Sequence, residues 1–117
     1  MDGPDQVREM AALADHFAVF ATTRPDGRVH ASLVKAGVLT DPVTGETVCG
    51  AVLVGGARKL GLLRASGRAS VVFAQGGRWL AVEGAVRLAG PADPLPGLDA
   101  DGLRKLLRDV FVAAGGT

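Results

Sequence analysis

The chain has 117 residues, of which 48% are hydrophobic and 21% are charged, and its net charge is +1. This length and composition predict one globular domain over residues 1–117, and the near-neutral charge gives no indication of nucleic-acid binding. The single Cys49 excludes an internal disulfide and is typical of a reducing compartment. The N-terminal residues lack a signal-peptide pattern, and no apolar run reaches the roughly 18 residues that span a membrane. The sequence therefore predicts a soluble, cytoplasmic protein.

The first part of the chain predicts a helix followed by a hairpin. Pro4 is typical of a helix start, and the residues after it are apolar at spacings of three and four. Residues 17–23 are aromatic and β-branched and predict a strand. Residues 24–28, RPDGR, predict a turn because the proline presets the first turn dihedral and the glycine accepts a positive φ. Residues 29–39 predict the returning strand.

Two further strands flank a short basic insert. Residues 47–54 predict the third strand, and residues 69–74, which are apolar except for Ser70, predict the fourth. Between them, residues 57–65 place leucines beside basic side chains and predict a short helix. Gly67 is suited to a left-handed cap at the end of that helix.

The last part of the chain predicts a second hairpin and a final helix. Gly76-Gly77 is typical of a hairpin turn, and residues 79–88 predict the fifth strand. Residues 98–114 are apolar at helical spacing, so we expect an amphipathic helix with Asp99 or Asp101 as its N-cap.

This order of elements predicts a mainly β fold with flanking helices. The tight hairpins indicate antiparallel pairing, and five strands are too many for one small flat sheet covered by one helix. A closed or partly closed barrel would remove the exposed sheet edges. Because residues 115–117 follow a helix directly, a sixth strand is expected either to be missing or to lie after residue 117.

Side chains that commonly carry catalysis are scattered along the chain. His16 and His30 are separated by a strand, and Cys49 has no base near it in sequence. A buried, inert cysteine is therefore favoured over a cysteine–histidine catalyst. Metal ligands do not cluster, and neither a P-loop nor a Rossmann glycine motif occurs, so no metal is expected and the catalytic side chains are unknown.

The insert between the third and fourth strands carries two glycines and then two cations. Gly55 and Gly56 have no Cβ, so a ligand can approach their backbone closely. Arg58 and Lys59 follow at the start of the predicted helix, where cations oppose the helix dipole and the N–H groups favour anions. Either an anion binds between them, with Arg58 gripping it through two hydrogen bonds, or both are solvated surface cations. The residues alone leave both interpretations open.

The order and spacing of several segments resembles a known family. RPDGRVHASLVKAG, GGARKLGLLRASGRASVVF and WLAVEGAVRLAG are similar to segments of the pyridoxamine 5′-phosphate oxidase-like split β-barrel superfamily. They resemble in particular its small deazaflavin (coenzyme F-420)-dependent reductases, and less closely its FMN-binding members. The final FVAAGGT is similar to the tail helix of the deazaflavin branch, and the resemblance as a whole covers roughly residues 15–90.

The resemblance implies a six-stranded antiparallel split β-barrel of Greek-key type, which forms a homodimer with cofactors in grooves at its interface. It implies that Arg58 and Lys59 bind the cofactor phosphate, although Gly61 or Leu62 stands where the family has an asparagine. The implied cofactor-binding residues are Ser32, Val34, Lys35, Val52, Val54, Gly55, Gly56, Ala57, Arg58, Lys59 and, at the groove rim, Arg64.

The activity that the resemblance implies is an oxidoreductase in which reduced coenzyme F-420 passes a hydride to an electron-poor double bond of a small molecule. The alternatives are an FMN-dependent oxidoreductase and a non-catalytic flavin- or haem-binding protein on the same fold. A cationic strip of Lys35, Arg58, Lys59 and Arg64 suits a long polyanionic tail and favours the deazaflavin. A second copy of the chain and a small-molecule substrate are the expected partners.

Overall fold

The structure, a computed structural model, describes residues 3–53, 57–90, 93 and 95–116, with the side chains of residues 57 and 58 not described. The helices and strands along the chain are α1 (Gly3–Leu13), β1 (Phe17–Thr23), β2 (Val29–Thr40), β3 (Thr47–Ala51), α2 (Ala57–Ser66), β4 (Arg68–Gln75), β5 (Arg78–Ala85) and α3 (Ala100–Ala113). Within the described ranges, no helix combines the length and the apolar character needed to cross a membrane.

The five strands form one antiparallel sheet in the order β3-β2-β1-β4-β5, which curls into a half-barrel. Strands β1, β2 and β3 follow one another through hairpins, and β4 returns to lie beside β1. This arrangement is a Greek key. The mainly β prediction is therefore confirmed, while the sixth strand of the implied barrel stays a prediction because the described residues form five strands.

The turns predicted from glycine are present. Gly27 has a φ of 88° in the β1–β2 hairpin, and the backbone N–H of Arg24 donates to the carbonyl of Arg28 at 2.7 Å. Gly67 has a φ of 67° at the end of α2, where its N–H donates to the Leu63 carbonyl at 2.8 Å. Both positions need the left-handed backbone region that glycine enters without a Cβ clash.

Strands β3 and β5 are shorter than predicted for different reasons, since β3 departs from a partner that continues, whereas β5 ends at the first residue of its partner. β3 stops at Ala51, which pairs with Ala36, and residues 52 and 53 then leave the ladder. β5 stops at Ala85, which pairs with the first residue of β4, Arg68. The prediction that β3 continues to residue 54 was wrong for residues 52 and 53, and residue 54 lies outside the described residues. The prediction that β5 continues to residue 88 was wrong for residues 86–88.

The core fills the inside of the curled sheet. Phe73 of β4 and Leu63 of α2 are its largest fully buried side chains, and Met10 and Ala11 of α1 close one end. On the other side of the barrel, the Thr22 hydroxyl bonds to Ser66 Oγ and to the Arg68 carbonyl, both at 2.9 Å. These bonds attach the end of α2 to the sheet and satisfy a buried hydroxyl.

Helix α3 covers β2 and β3 from outside the curl. Asp99 caps it by accepting a hydrogen bond from the Gly102 N–H at 2.7 Å, so the first of the two predicted caps is confirmed. Gly37 of β2 lies directly under the backbone of Ala113 and lets the helix approach the sheet closely. Gly50 of β3 leaves room chiefly for the Leu39 side chain of β2, since a Cβ on it would meet Val110 of α3 only at ordinary van der Waals distance.

Gly37→Ala is expected to lower the free energy of unfolding by about 2 kcal/mol or more, because its new Cβ would overlap the Ala113 carbonyl and push the end of α3 away. Urea denaturation measures this difference. Gly84→Ala is the matched control, since a Cβ at this strand position meets nothing within 4 Å. Equal stabilities of the two variants would contradict the close contact between α3 and β2.

Candidate functional site

A cleft of about 510 Å³ lies between β2, the start of α2 and the end of α3. We call it the β2 cleft. On the sheet and α2 side it is lined by Leu33, Val34, Lys35, Val52 and Lys59. It exists because β3 leaves β2 after Ala51, so that Val52 turns away from the strand that it would otherwise continue to pair with.

The β2 cleft brings together four residues that the sequence assigned to a cofactor. Val34, Lys35, Val52 and Lys59 all line it although they come from three different segments. Ser32 lies two residues before Val34 on the same face of β2. Ala57 begins α2, and Arg58 follows it in the first turn; the predicted residues Val54, Gly55 and Gly56 lie outside the described residues.

The remaining side of the cleft comes from the end of α3, which the sequence did not assign to a site. Phe111, Ala114, Gly115 and Gly116 line it. Gly115, with a φ of 90°, turns the chain back, and the Gly116 N–H donates to the Phe111 carbonyl at 2.9 Å. Phe111 is 52% exposed, so the stripe of apolar residues that predicted an amphipathic helix continues into the cleft rather than into the core.

Lys35 is held in place at the rim of the β2 cleft. Its Nζ donates to the Asp15 carbonyl at 2.9 Å and lies 4.3 Å from the centre of the Phe17 ring. Asp15 and His16 both have positive φ, at 55° and 63°, which is an uncommon conformation for residues with a Cβ. Lys35 Nζ also lies 3.9 Å from Asp15 Oδ2, so the ammonium group at the cleft rim already has a carboxylate near it.

Arg64 lies away from this cleft. Its guanidinium makes two hydrogen bonds to Asp93, at 2.8 and 2.7 Å, and these bonds lower the pKa of that carboxyl. The pair ties the second half of α2 to Asp93, which forms an isolated bridge with Gly90. Arg64, which the resemblance implied at the rim of the groove, is therefore not among the residues that line the β2 cleft and forms an ion pair instead.

Among the residues that the structure describes, two buried polar atoms of β2 have no hydrogen-bond partner. They are His30 Nε2 and Ser32 Oγ, which belong to alternate residues on the inward face of the strand. Neither residue lines the β2 cleft, whose exposed lining residues Leu33 and Lys35 are on the opposite face of β2. Buried polar atoms are nearly always paired with protein groups or with ordered water.

A second cavity of about 540 Å³ lies between α1 and the β4–β5 turn. Glu9, Arg78 and Trp79 are among its lining residues, and Arg78 Nη2 is 3.6 Å from Glu9 Oε1. None of the predicted site residues lines this cavity. The β2 cleft is therefore the better candidate site.

Cys49 is in β3, where burial raises the pKa of its thiol to about 11. Within the described ranges, no three or more His, Cys, Asp and Glu side chains come together in a way that could hold a metal ion. A thiol with such a pKa is protonated at neutral pH and is a poor nucleophile. These observations favour the inert, buried cysteine.

Cys49 should react with a disulfide reagent at pH 8 at least about 100-fold more slowly in the folded protein than in urea, because the thiolate is scarce when the pKa is about 11. For the same reason, the unfolded thiol loses its proton first, and the free energy of unfolding should fall as the pH rises above about 8.5. Absorbance assays in both states measure the rates. Equally fast labelling of the folded protein would contradict a buried thiol.

Neither family models, nor curated proteins, nor solved structures match this chain. What the chain binds is therefore inferred from the residues of the β2 cleft and from the motifs of the sequence.

Proposed function

We propose that the chain is an oxidoreductase of the pyridoxamine 5′-phosphate oxidase-like split-barrel class, that it uses reduced coenzyme F-420, and that it binds this cofactor in the β2 cleft. One observation carries the proposal. Residues 34, 35, 52 and 59 were each expected at a cofactor from the sequence resemblance, and they line one cleft.

The chemistry of the cleft suits an anionic molecule with a flat ring. Leu33, Val34, Val52 and Phe111 offer apolar and aromatic surface for a ring, and the volume is in the range of small-molecule pockets. Lys35 and Lys59 are the charged residues of its described lining, and both are cations. An apolar lining with two ammonium groups at its margin fits a ring that carries phosphate and carboxylate groups.

The protein would contribute binding and orientation rather than acid–base chemistry. When bound, the reduced deazaflavin supplies the hydride that goes to an electron-poor C=C or C=N bond. Lys59, and Arg58 beside it in the sequence, would hold the phosphate, while the apolar lining would exclude water from the ring. This division explains why the sequence has no recognisable catalytic triad or metal cluster.

We also place a second copy of the chain on the outer face of the sheet, which we define by Phe17, Val19, Val29, Leu33 and Val72. In the β1–β2 and β1–β4 ladders, Val19 lies opposite both Leu33 and Val72, so these three side chains are neighbours. Leu33 is 66% exposed and Val19 is 45% exposed, which leaves adjacent large aliphatic side chains open to solvent. Leu33 also lines the cleft, so a second copy on this face would reach the site.

Lys59→Ala should weaken the binding of F-420 by about 1–3 kcal/mol, because it removes a charge-assisted contact to the phosphate. Fluorescence titration of the purified protein measures the affinity. Lys105→Ala is the matched control, since this lysine lies on α3 and pairs with Asp109 at 2.6 Å. FMN and haem are titrated in parallel.

Tight binding of FMN with no binding of F-420 would replace the proposed cofactor by the flavin. Tight binding of haem, or of a flavin without turnover of any acceptor, would favour a carrier. Equal affinities of the Lys59→Ala and Lys105→Ala proteins would remove Lys59 from the site.

Leu33→Lys should convert a dimer into a monomer, because a charge in the middle of an apolar interface loses its hydration. Sedimentation velocity measures the mass. Val43→Lys is the control, since Val43 is an exposed apolar residue in the β2–β3 loop, outside this face. A wild-type protein that is monomeric at micromolar concentration would overturn the proposed dimer.

A further inference from the structure

The cavity between α1 and the β4–β5 turn is a second place in the structure where a small molecule fits. We call it the α1 cavity. Gln6, Glu9 and Met10 of α1 line it together with residues 77–80, and none of these residues lines the β2 cleft. Its volume of about 540 Å³ is in the range of small-molecule pockets. The two cavities are therefore separate candidate sites.

Trp79 gives the α1 cavity an open aromatic ring. It is the one tryptophan of the chain and is 72% exposed. Across the β4–β5 ladder it faces Ala74, whose methyl group covers little of an indole ring. Met10, which is buried, and Leu80, which packs against the core, add apolar surface to the same lining. The cavity thus offers apolar surface together with an aromatic face on which a second ring can stack.

Glu9 and Arg78 place opposite charges at the same cavity. Arg78 Nη2 lies 3.6 Å from Glu9 Oε1, which is longer than a hydrogen bond, and both side chains are more than half exposed. Among the described residues, this is the one polar contact that either side chain makes. The carboxylate and the guanidinium therefore both keep their capacity to bond to a ligand.

The spacing of these two groups suits a ligand with both charges on neighbouring atoms. A ligand with a single charge would pair with one group and separate the other from its partner. In an α-amino acid, the ammonium nitrogen and the carboxylate oxygens are about 3 Å apart. Contacts of about 2.8 Å to Glu9 and to Arg78 then fit the 3.6 Å between the two side chains. One long ion pair is replaced by two sets of charge-assisted hydrogen bonds.

We propose that the α1 cavity binds a free α-amino acid with an aromatic side chain. Glu9 accepts hydrogen bonds from the α-ammonium group, Arg78 donates to the α-carboxylate, and the aromatic side chain packs on Trp79. The α1 cavity and the β2 cleft have no lining residue in common, so this site does not depend on the proposed function.

Tryptophan fluorescence tests this site directly, because Trp79 is the single tryptophan and the chain has no tyrosine. L-Phenylalanine should change the Trp79 emission in a saturable way at millimolar concentration. 3-Phenylpropanoate, which lacks the ammonium group, and 2-phenylethylamine, which lacks the carboxylate, should bind about 5-fold more weakly, since each loses a charge-assisted contact at an exposed site. Equilibrium dialysis with labelled phenylalanine measures the affinity independently of the emission.

Two variants assign the two charges. Arg78→Gln should weaken the binding of phenylalanine and phenylpropanoate about 5-fold without weakening that of phenylethylamine. Glu9→Gln should weaken phenylalanine and phenylethylamine by a similar factor without weakening phenylpropanoate. Arg8→Gln and Glu83→Gln are the matched controls, because these exposed residues belong to α1 and β5 but do not line the cavity. Neither control should change any of the three affinities.

A phenylpropanoate or phenylethylamine affinity equal to that of phenylalanine in the wild-type protein would overturn the zwitterionic ligand. Equal losses in the two variants and the two controls would remove Glu9 and Arg78 from the site. If phenylalanine binds neither by fluorescence nor by dialysis, the site itself is overturned. None of these outcomes changes the expected binding of F-420 in the β2 cleft, so the two proposals fail separately.

Discussion

The length difference between β2 and β3 determines the rest of the structure. β2 runs for 12 residues, but β3 pairs only with residues 36–40 of it. Among the described residues, residues 29–35 of β2 pair only with β1. The β2 cleft lies where β3 departs, and His30 and Ser32 belong to the half of β2 with which β3 does not pair. A β3 that continued to pair as far as residue 54 would fill this space with a strand.

Local patterns predicted most of the secondary structure because they act over a few residues. The bounds of β1 match the prediction at both ends, and the turn at Gly27 and the caps at Gly67 and Asp99 depend on local backbone and side-chain geometry. The predicted end of β5 was wrong because its partner β4 begins at Arg68. The predicted end of β3 was wrong because β3 leaves β2, although β2 itself continues. Where a partner strand begins and where a strand leaves the ladder are properties of the tertiary fold, which periodicity does not contain.

The sequence predicted only part of the candidate site, because local patterns do not show which segments pack against one another. Lys59 and Lys35 were found from the charges of the sequence and from the family resemblance, and both line the cleft. The sequence did not indicate that Phe111 and Gly115 would join them, since an apolar helix stripe does not reveal how much of it the sheet covers. Arg64 has the same charge as the predicted cluster, but Asp93, 29 residues later, holds it elsewhere.

Helix α2 is attached to the protein near its C-terminal end. Leu63 is buried in the core, Arg64 pairs with Asp93, and Ser66 bonds to Thr22. Lys59 precedes these anchors and makes no hydrogen bond or ion pair with a described residue. Ser66 is seven positions after Lys59, a distance of about 10 Å along the helix axis. The contacts that hold α2 are therefore at the opposite end of the helix from Lys59. If the β2 cleft binds an anionic ligand as proposed, a small rotation of α2 about these contacts would displace Lys59 more than any of the anchoring residues.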